Sequence, residues 1–279
     1  MKTALCLGVV MLASCGQGSG NGNASPALLD PGAATAQAPA TFRVTFDTTV
    51  GAFGVACHRD WAPNGADRFY NLVKIGFFDD VAFFRVVRQP RPFVVQFGIH
   101  GNPDVAARWL NANIPPDPAT QSNTRGKLTF AMADRPDTRS TQLFINYGNN
   151  TSLDRMGFAP LCEVIGDGML VVDKLYDGYG EGPTAEQDQI VSQGNKFLKE
   201  KHPKLDYIKT ARLDADPPAA SASDSAVAPP SAVATPPPTA SAQASATATA
   251  SSSSAAPVPS ASSRVAPSSS ARPHLTAPM

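Results

Sequence analysis

An arginine set among aromatic and aliphatic residues is the part of this sequence best suited to chemistry. Residues 83–87 read Phe-Phe-Arg-Val-Val, and Phe93, Val94 and Gln96 follow a few residues after Arg85. In such surroundings a guanidinium can face a carbonyl or amide group of a bound molecule and donate hydrogen bonds to it. The alternative is a core arginine whose charged head reaches solvent. The residue pattern by itself leaves both interpretations open.

The common motifs of hydrolases and metal enzymes are missing from the sequence. It contains no Gly-x-Ser-x-Gly, no His-Glu-x-x-His and no Cys-x-x-Cys, and its four histidines lack the spacing of metal ligands. We therefore expect neither a metal nor a cofactor. The glycine-rich run 178–182 follows no predicted strand, which disfavours phosphate binding. A formal net charge of zero argues against nucleic acid as a partner.

Short alternating segments predict the strands and helices that must position these residues. Period-two alternation and β-branched or aromatic composition predict strands at 41–46, 53–58, 81–87, 93–97, 127–133, 142–146, 158–165 and 205–213. Helical spacing predicts helices at 63–75, 168–176 and 186–201, with a short one at 104–110 inside a long Asn- and Pro-rich excursion, 100–126. Many short antiparallel strands with two or three helices favour a β-barrel with helical caps.

Composition confines the folded domain to the middle of the 279-residue chain. Residues 214–279 consist mainly of Ala, Ser, Pro and Thr, too poor in large apolar groups to offset the entropy of ordering. We expect them to be a disordered tail. Residues 15–40 are rich in Gly, Asn, Ala and Pro and predict a flexible linker. The domain is thus expected to span 41–213.

The first residues are typical of an export signal. Lys2 precedes a short apolar run that ends in Leu-Ala-Ser-Cys at 12–15, which is similar to a bacterial lipobox. We predict a signal peptide at 1–14, lipid on Cys15, and a protein anchored to a membrane of the cell envelope by that lipid. Gly16 favours, by analogy with known lipoproteins, the periplasmic face of the outer membrane. A plain secretory signal with an incidental Cys15 is the alternative.

Two cysteines remain inside the predicted domain, Cys57 and Cys162. Export would permit a disulfide between them. Two buried free thiols agree with the sequence equally well, because sequence does not supply their separation.

Several ordered segments together resemble the cyclophilin family of peptidyl-prolyl cis–trans isomerases. The similarity runs from 41 to 213 and rests on Phe-Arg-Val-Val at 84–87, Gln-Phe-Gly at 96–98 and Thr-Gln-Leu-Phe-Ile-Asn at 141–146, with Gly-Phe-Ala-Pro at 157–160. This resemblance implies a closed eight-stranded antiparallel barrel, mainly β with α, capped by two or three helices. It also implies a surface groove that takes an Xaa-Pro peptide.

The resemblance also assigns site residues. Arg85 matches the catalytic arginine of the family, and Gln96 matches the glutamine that positions it. The proline-binding residues that it implies are apolar: Phe93, Val94, Met132, Phe144 and Leu153. The implied partners are proline-containing polypeptides, bound by a monomer.

The sequence departs from the family pattern in three places. The stretch 88–92 (Arg-Gln-Pro-Arg-Pro) lengthens the connection between Arg85 and Phe93, which makes Arg88 a second candidate for the arginine. Gly157 or Phe158 stands where the family has a histidine. Ser152 stands where many members have a tryptophan, and its loss implies weak cyclosporin binding.

Two functions from different classes agree with the sequence. The first is a prolyl isomerase that assists the folding of exported proteins, and the joint presence of Arg85, Gln96 and Phe144 favours it. The second is a catalytically weakened cyclophilin-like module that holds proline-containing segments, and the insertion 88–92 favours it.

Overall fold

The computed structural model describes residues 24–215. The predicted signal peptide, Cys15 and the predicted tail from residue 216 onward lie outside the described residues. Nine strands form the sheet of this part: β1 Thr41–Thr48, β2 Gly51–His58, β3 Val81–Ala82, β4 Arg85–Val86, β5 Val94–Phe97, β6 Lys127–Phe130, β7 Leu143–Asn146, β8 Pro160–Val164 and β9 Tyr207–Leu213. The helices are α1 Pro26–Leu29, α2 Pro63–Lys74, α3 Pro103–Trp109, α4 Gly168–Val172 and α5 Gln187–Lys201, with short 3₁₀ turns at Pro31–Ala33, Pro136–Thr138, Thr151–Met156 and Gly182–Glu186.

All neighbouring strands of the sheet are antiparallel, in the order β3-β9-β1-β2-β8-β6-β7-β5-β4. The expected antiparallel β architecture with helices is therefore present, but with nine strands. The predicted strand 81–87 divides at Phe83 and Phe84. Its first half pairs with β9, and its second half pairs with β5 at the other end of the order.

The β1–β2 hairpin supplies the centre of the core. Alternate residues of β1 are buried, as its period-two pattern predicts. Phe46 of β1 stacks on Phe53 of β2 with ring centroids 5.0 Å apart, and Phe97 of β5 meets Phe46 edge-on at 6.0 Å. Burial of these rings joins the hairpin to the strand that carries Gln96.

Helix α2 packs on the sheet and is held at its first turn by a buried carboxylate. Pro63 stands at its first position, and Asp117 accepts hydrogen bonds from the backbone N–H groups of Asn64 and Gly65 at 2.9 and 2.8 Å. Arg139 pairs with the same carboxylate at 3.1 Å, and both side chains are only 1% exposed. A negative charge at a helix N-terminus is favourable, so this pair ties the excursion 100–126 to α2.

Residues 24–40 correct the prediction of a flexible linker at 15–40, because they pack against the domain. The indole N–H of Trp109 donates to the carbonyl of Leu28 at 2.7 Å. Asn71 and the backbone of Ala36 exchange two hydrogen bonds, and the N–H of Ala38 donates to Asp67 at 2.8 Å. Leu28 and Leu29 also pack on the core. The described fold thus begins before residue 41.

Cys57 and Cys162 form a disulfide, which settles the alternative left open by the sequence. The two residues lie directly opposite each other on β2 and β8, and both are fully buried. The bond therefore joins two neighbouring strands of the sheet whose cysteines are 105 residues apart in the chain.

Helix α5 lies close to its predicted bounds but bends at Gly194, where φ is +62°. A Cβ at this position would come within 2.0 Å of the carbonyl oxygen of Gly101. The same carbonyl accepts the N–H of Asn195 at 2.9 Å. Glycine therefore allows α5 to approach the start of α3. Within residues 24–215, no helix combines the length and apolar character needed to cross a membrane.

Candidate functional site

Arg85 and Gln96 face each other across the β4–β5 pair. They are direct partners in the register, and Arg85 Nη1 donates to Gln96 Oε1 at 3.0 Å. The insertion 88–92 does not disturb this pairing, because two backbone hydrogen bonds close the loop at its base. The N–H of Val87 donates to the carbonyl of Val94, and the N–H of Phe93 donates to the carbonyl of Val87, both at 2.9 Å. The extra residues extend from the hairpin tip and leave the two side chains together.

The guanidinium of Arg85 is buried, with only 1% of the residue exposed. Its Nε and Nη2 each donate to one carboxylate oxygen of Glu181 at 2.7 Å, a bidentate ion pair. The ring of Phe93 lies on the other side, with its centroid 5.4 Å from the guanidinium carbon. The arginine is therefore a fixed cation beside an aromatic ring.

An apolar cluster lies along the same strands and contains every residue predicted to bind proline. Its members are the buried residues Val94, Ala131, Met132, Phe144, Leu153 and Phe158, with Phe93 packed against them. Phe144 and Phe158 meet edge-on with ring centroids 5.7 Å apart. The structure thus brings all five apolar site residues together and places Phe93 between this cluster and Arg85.

The 3₁₀ turn Thr151–Met156 carries Leu153 into the cluster. Asp154 anchors the turn, accepting hydrogen bonds from Ser122 Oγ at 2.5 Å and from the backbone N–H and side-chain Nδ2 of Asn123 at 2.8 Å each. Partial burial acts to raise the pKa of Asp154, but the hydrogen bonds from Ser122 and Asn123 outweigh it and hold the pKa below its ordinary value. The excursion 100–126 therefore helps to position a wall of the site.

A surface pocket of about 150 Å³ adjoins this wall. It lies between the insertion and the loop before Leu153, lined by Arg91, Pro92, Phe93, Asn149, Asn150, Ser152, Leu153 and Met156. Ser152, which by the resemblance stands where many cyclophilins have a tryptophan, is exposed at its edge. The small side chain leaves this volume open.

Arg88, the second candidate for the catalytic arginine, has a different role in the structure. Its Nε pairs with Asp177 at 2.9 Å, Nη2 donates to the carbonyl of Leu175 at 2.7 Å, and Nη1 donates to the carbonyl of Asp173. It thereby fastens the chain after α4. Arg85 is the arginine that contacts Gln96 and Phe93.

Some residues at the site were missed by reasoning from the sequence. Ala131 and Phe158 belong to the apolar cluster, and the motif Gly-Phe-Ala-Pro at 157–160 was a signal for the second. Gln142 accepts a hydrogen bond from Gln96 Nε2 at 2.8 Å, and its place in the motif 141–146 could have indicated it. Glu181 had no such signal. Among residues 24–215, no three potential metal ligands cluster together.

Comparison with known proteins decides the family. Residues 43–195 match the family model described as cyclophilin type peptidyl-prolyl cis-trans isomerase/CLD. The chain belongs to the cyclophilin family. The family and isomerase activity expected from the motifs are thus confirmed.

Among the curated proteins similar to this chain are two bacterial isomerases. The peptidyl-prolyl cis-trans isomerase of Acinetobacter baylyi is 31% identical over 146 residues, which cover 50% of this chain and 75% of the relative. Peptidyl-prolyl cis-trans isomerase B of Escherichia coli is 31% identical over 140 residues, which cover 47% of this chain and 82% of the relative. A solved cyclophilin from Cryptosporidium parvum is 16% identical with a TM-score of 0.47, covering 63% of this chain and 99% of that one.

Proposed function

We propose that this cyclophilin isomerises Xaa-Pro bonds at the site formed by Arg85, Gln96 and the apolar cluster. The observation that supports this assignment is the contact of Arg85 with both Gln96 and the ring of Phe93. The apolar residues are suited to a proline ring, and the guanidinium is suited to a peptide group beside it. Proline-containing polypeptides are the proposed partners.

The chemistry of the reaction fits a site without a nucleophile. An Xaa-Pro bond is held planar by resonance, with a barrier of about 18–20 kcal/mol, and uncatalysed exchange takes roughly 10–100 s. No covalent bond breaks during rotation, so neither a nucleophile nor a general base is required. An enzyme has to stabilise the twisted state more strongly than the planar one.

Arg85 can supply that stabilisation. As the bond twists, the prolyl nitrogen becomes pyramidal and gains a lone pair that accepts a hydrogen bond from the guanidinium. Meanwhile the cluster around Phe144 and Leu153 holds the ring in place while the other side of the bond rotates. Exchange in milliseconds needs an acceleration of about 10⁴–10⁵, or roughly 5–7 kcal/mol. A charge-assisted hydrogen bond combined with orientation is of that size.

The experiment is a prolyl-isomerisation assay with an Ala-Pro peptide on the wild-type chain, Arg85→Ala and Arg88→Ala. We expect Arg85→Ala to lower kcat/KM by roughly 100-fold or more. Arg88→Ala is the matched control, since it removes a nearby paired arginine, and activity should stay within about threefold of wild type. Full activity in Arg85→Ala would refute the assignment. A folded but inactive wild type that binds proline peptides would favour the weakened binding module instead.

We also propose that the protein works in the cell envelope, on exported polypeptides, held by lipid on Cys15. The lipobox-like residues 12–15 support this, and the Cys57–Cys162 disulfide fits an oxidising compartment. The test is labelling of cells with a radioactive fatty acid, followed by membrane fractionation. Label should appear in wild type and be lost in Cys15→Ser. Equal labelling of both would refute lipidation at this cysteine.

A closed barrel is the proposed form of the sheet. The two ends of the strand order, β3 and β4, are separated only by Phe83 and Phe84, so one continuous segment pairs with β9 and with β5. Counting this segment as one strand makes eight. Slow amide exchange at both ends of the segment would support closure, and fast exchange at either end would contradict it. We further expect a monomer, which sedimentation equilibrium tests.

A further inference from the structure

The glycine-rich run 178–182 carries a carboxylate into the isomerase site. Glu181 is its only charged residue, and both carboxylate oxygens accept hydrogen bonds from Arg85 at 2.7 Å. The pair is uneven in burial, since the arginine side chain is 2% exposed and the glutamate side chain 38%. Glu181 is therefore the more solvent-exposed partner of the pair. We propose that Glu181 is a positioning residue of the isomerase, which fixes the guanidinium of Arg85 for the reaction.

The same contact belongs to a closed series of hydrogen bonds. Arg85 donates to Gln96, Gln96 donates to Gln142 at 2.8 Å, and Gln142 donates to Gln187 at 3.0 Å. Gln187 then donates to the carbonyl of Thr184 at 3.3 Å, and the hydroxyl of Thr184 donates to Glu181, also at 3.3 Å. The series links β4, β5 and the residue before β7 to the 3₁₀ turn Gly182–Glu186 and the start of α5.

The geometry of the pair explains why a carboxylate serves this purpose. An arginine side chain has several rotatable bonds, and holding it in one place costs conformational entropy. A carboxylate that accepts from Nε and Nη2 together sets the plane of the guanidinium as well as its position. Gln96 Oε1 accepts a hydrogen bond from Arg85 Nη1 at 3.0 Å and so fixes the other edge of the guanidinium. Two partners on different edges leave the group one orientation relative to Phe93.

The charge of Glu181 reduces the net charge of the site, which taken alone would weaken its electrostatic effect on the reacting bond. Orientation is the larger effect in this site for two reasons. Hydrogen bonding to the prolyl nitrogen depends on the direction of an N–H group, and small displacements of a catalytic group are costly in rate. A buried guanidinium without its carboxylate would also move towards solvent.

The chain offers a matched control for this proposal. Asp177 lies four residues before Glu181 and pairs with Arg88 at 2.9 Å. Its side chain is 40% exposed, close to the 38% of Glu181. Both carboxylates hold the segment after α4 through an arginine, but only Glu181 bonds Arg85. Loss of Asp177 therefore tests anchoring of the segment without touching the catalytic arginine.

The experiment measures kcat and KM of the full chain with an Ala-Pro peptide, and it rests on the proposed function. We expect Glu181→Ala to lower kcat at least tenfold with KM within about threefold, because the apolar cluster that binds proline is unchanged. Glu181→Gln retains one acceptor oxygen and should lower kcat less than Glu181→Ala does. Asp177→Ala should remain within about threefold of wild type. Thermal unfolding of each variant verifies that it is folded.

A double variant separates positioning from a general structural role. In an Arg85→Ala background, adding Glu181→Ala should change kcat by less than about twofold, since no guanidinium remains to be positioned. Three results would each overturn the proposal. One is a fall in kcat on adding Glu181→Ala to Arg85→Ala that is as large as in the wild-type background. The others are a loss of kcat in Asp177→Ala equal to that in Glu181→Ala, and activity of Glu181→Ala at or above wild type. Wild-type-like activity in Arg85→Ala, or none in wild type, would instead overturn the proposed site together with this inference.

Discussion

The buried pair of Asp117 and Arg139 gives the sharpest prediction about stability. In Asp117→Asn the amide oxygen can still accept one backbone N–H of α2, but Arg139 loses its counter-charge. Both side chains are 1% exposed, so solvent does not screen the loss. Breaking a buried ion pair by removing one partner costs about 3–5 kcal/mol. That is a large part of the roughly 5–15 kcal/mol by which domains are stable.

The assay is equilibrium unfolding in urea, with the midpoint and slope compared between variants. Arg139→Met in the same background removes the unpaired charge and should recover part of the loss, with a coupling energy of about 2 kcal/mol. The control is Asp137→Asn, which breaks the exposed ion pair with Arg135. The side chains of Arg135 and Asp137 are 73% and 52% exposed, so losing this pair should cost at most about 1 kcal/mol. A cost below about 1 kcal/mol for Asp117→Asn, with an unchanged slope, would refute the reasoning.

Three further predictions concern stability under other perturbations. Burial lowers the folded-state pKa of His100 below its unfolded value of about 6.5, so the unfolded chain binds a proton at a higher pH than the folded chain does. The unfolding free energy should therefore fall from pH 7 towards pH 5, and urea titrations of His100→Gln should show a smaller fall. Reduction of the disulfide should lower the unfolding free energy by about 2–4 kcal/mol, measured by unfolding with and without reductant. The control is the double variant Cys57→Ala/Cys162→Ala, whose unfolding free energy should not change with reductant. Residues 41–215 alone should melt at a lower temperature than residues 24–215, because the shorter chain lacks the hydrogen bonds to Leu28, Ala36 and Ala38; equal melting temperatures would contradict this.

Local patterns allowed much of the fold to be predicted. The alternation in β1 and the proline at the start of α2 determine local geometry directly, and both elements lie within a few residues of their predicted bounds. The predicted strand 81–87 is different. Its residues favour extended structure throughout, but its two halves have different partners, and sequence periodicity contains no information about which strand lies alongside.

The apolar part of the site was predictable because its residues occur in ordered motifs of the family. Met132, Phe144 and Leu153 lie together as those motifs implied. The Glu181 contact joins residues 96 positions apart, and nothing near either residue marks the pairing. The same limit applied to Cys57 and Cys162, for which only a folded chain supplies the distance.

The segment before β1 escaped prediction for a physical reason. Pro26–Leu29 is a helix of four residues, too short for any periodicity, and it is surrounded by Gly, Pro and Ala that favour irregular structure. The order of residues 24–40 depends on Trp109 and Asn71, which lie on other elements and donate hydrogen bonds to the carbonyls of Leu28 and Ala36. Tertiary contacts of this kind override local propensity.

With the proposed lipid on Cys15, the packed segment 24–40 would limit how far the enzyme reaches from a membrane. With lipid on Cys15, as we propose, a leash from Cys15 to β1 would extend to about 90 Å at full stretch, at roughly 3.4 Å per residue. Because Ala24 already packs against the core, only eight residues, 16–23, lie between it and Cys15, a span of at most about 30 Å. The isomerase would then serve chains emerging beside its own bilayer and remain out of reach of those in the wider compartment. Inserting twenty residues after Gly16 should extend its crosslinking to more distant envelope proteins, and an unchanged crosslinking pattern would argue against the short tether.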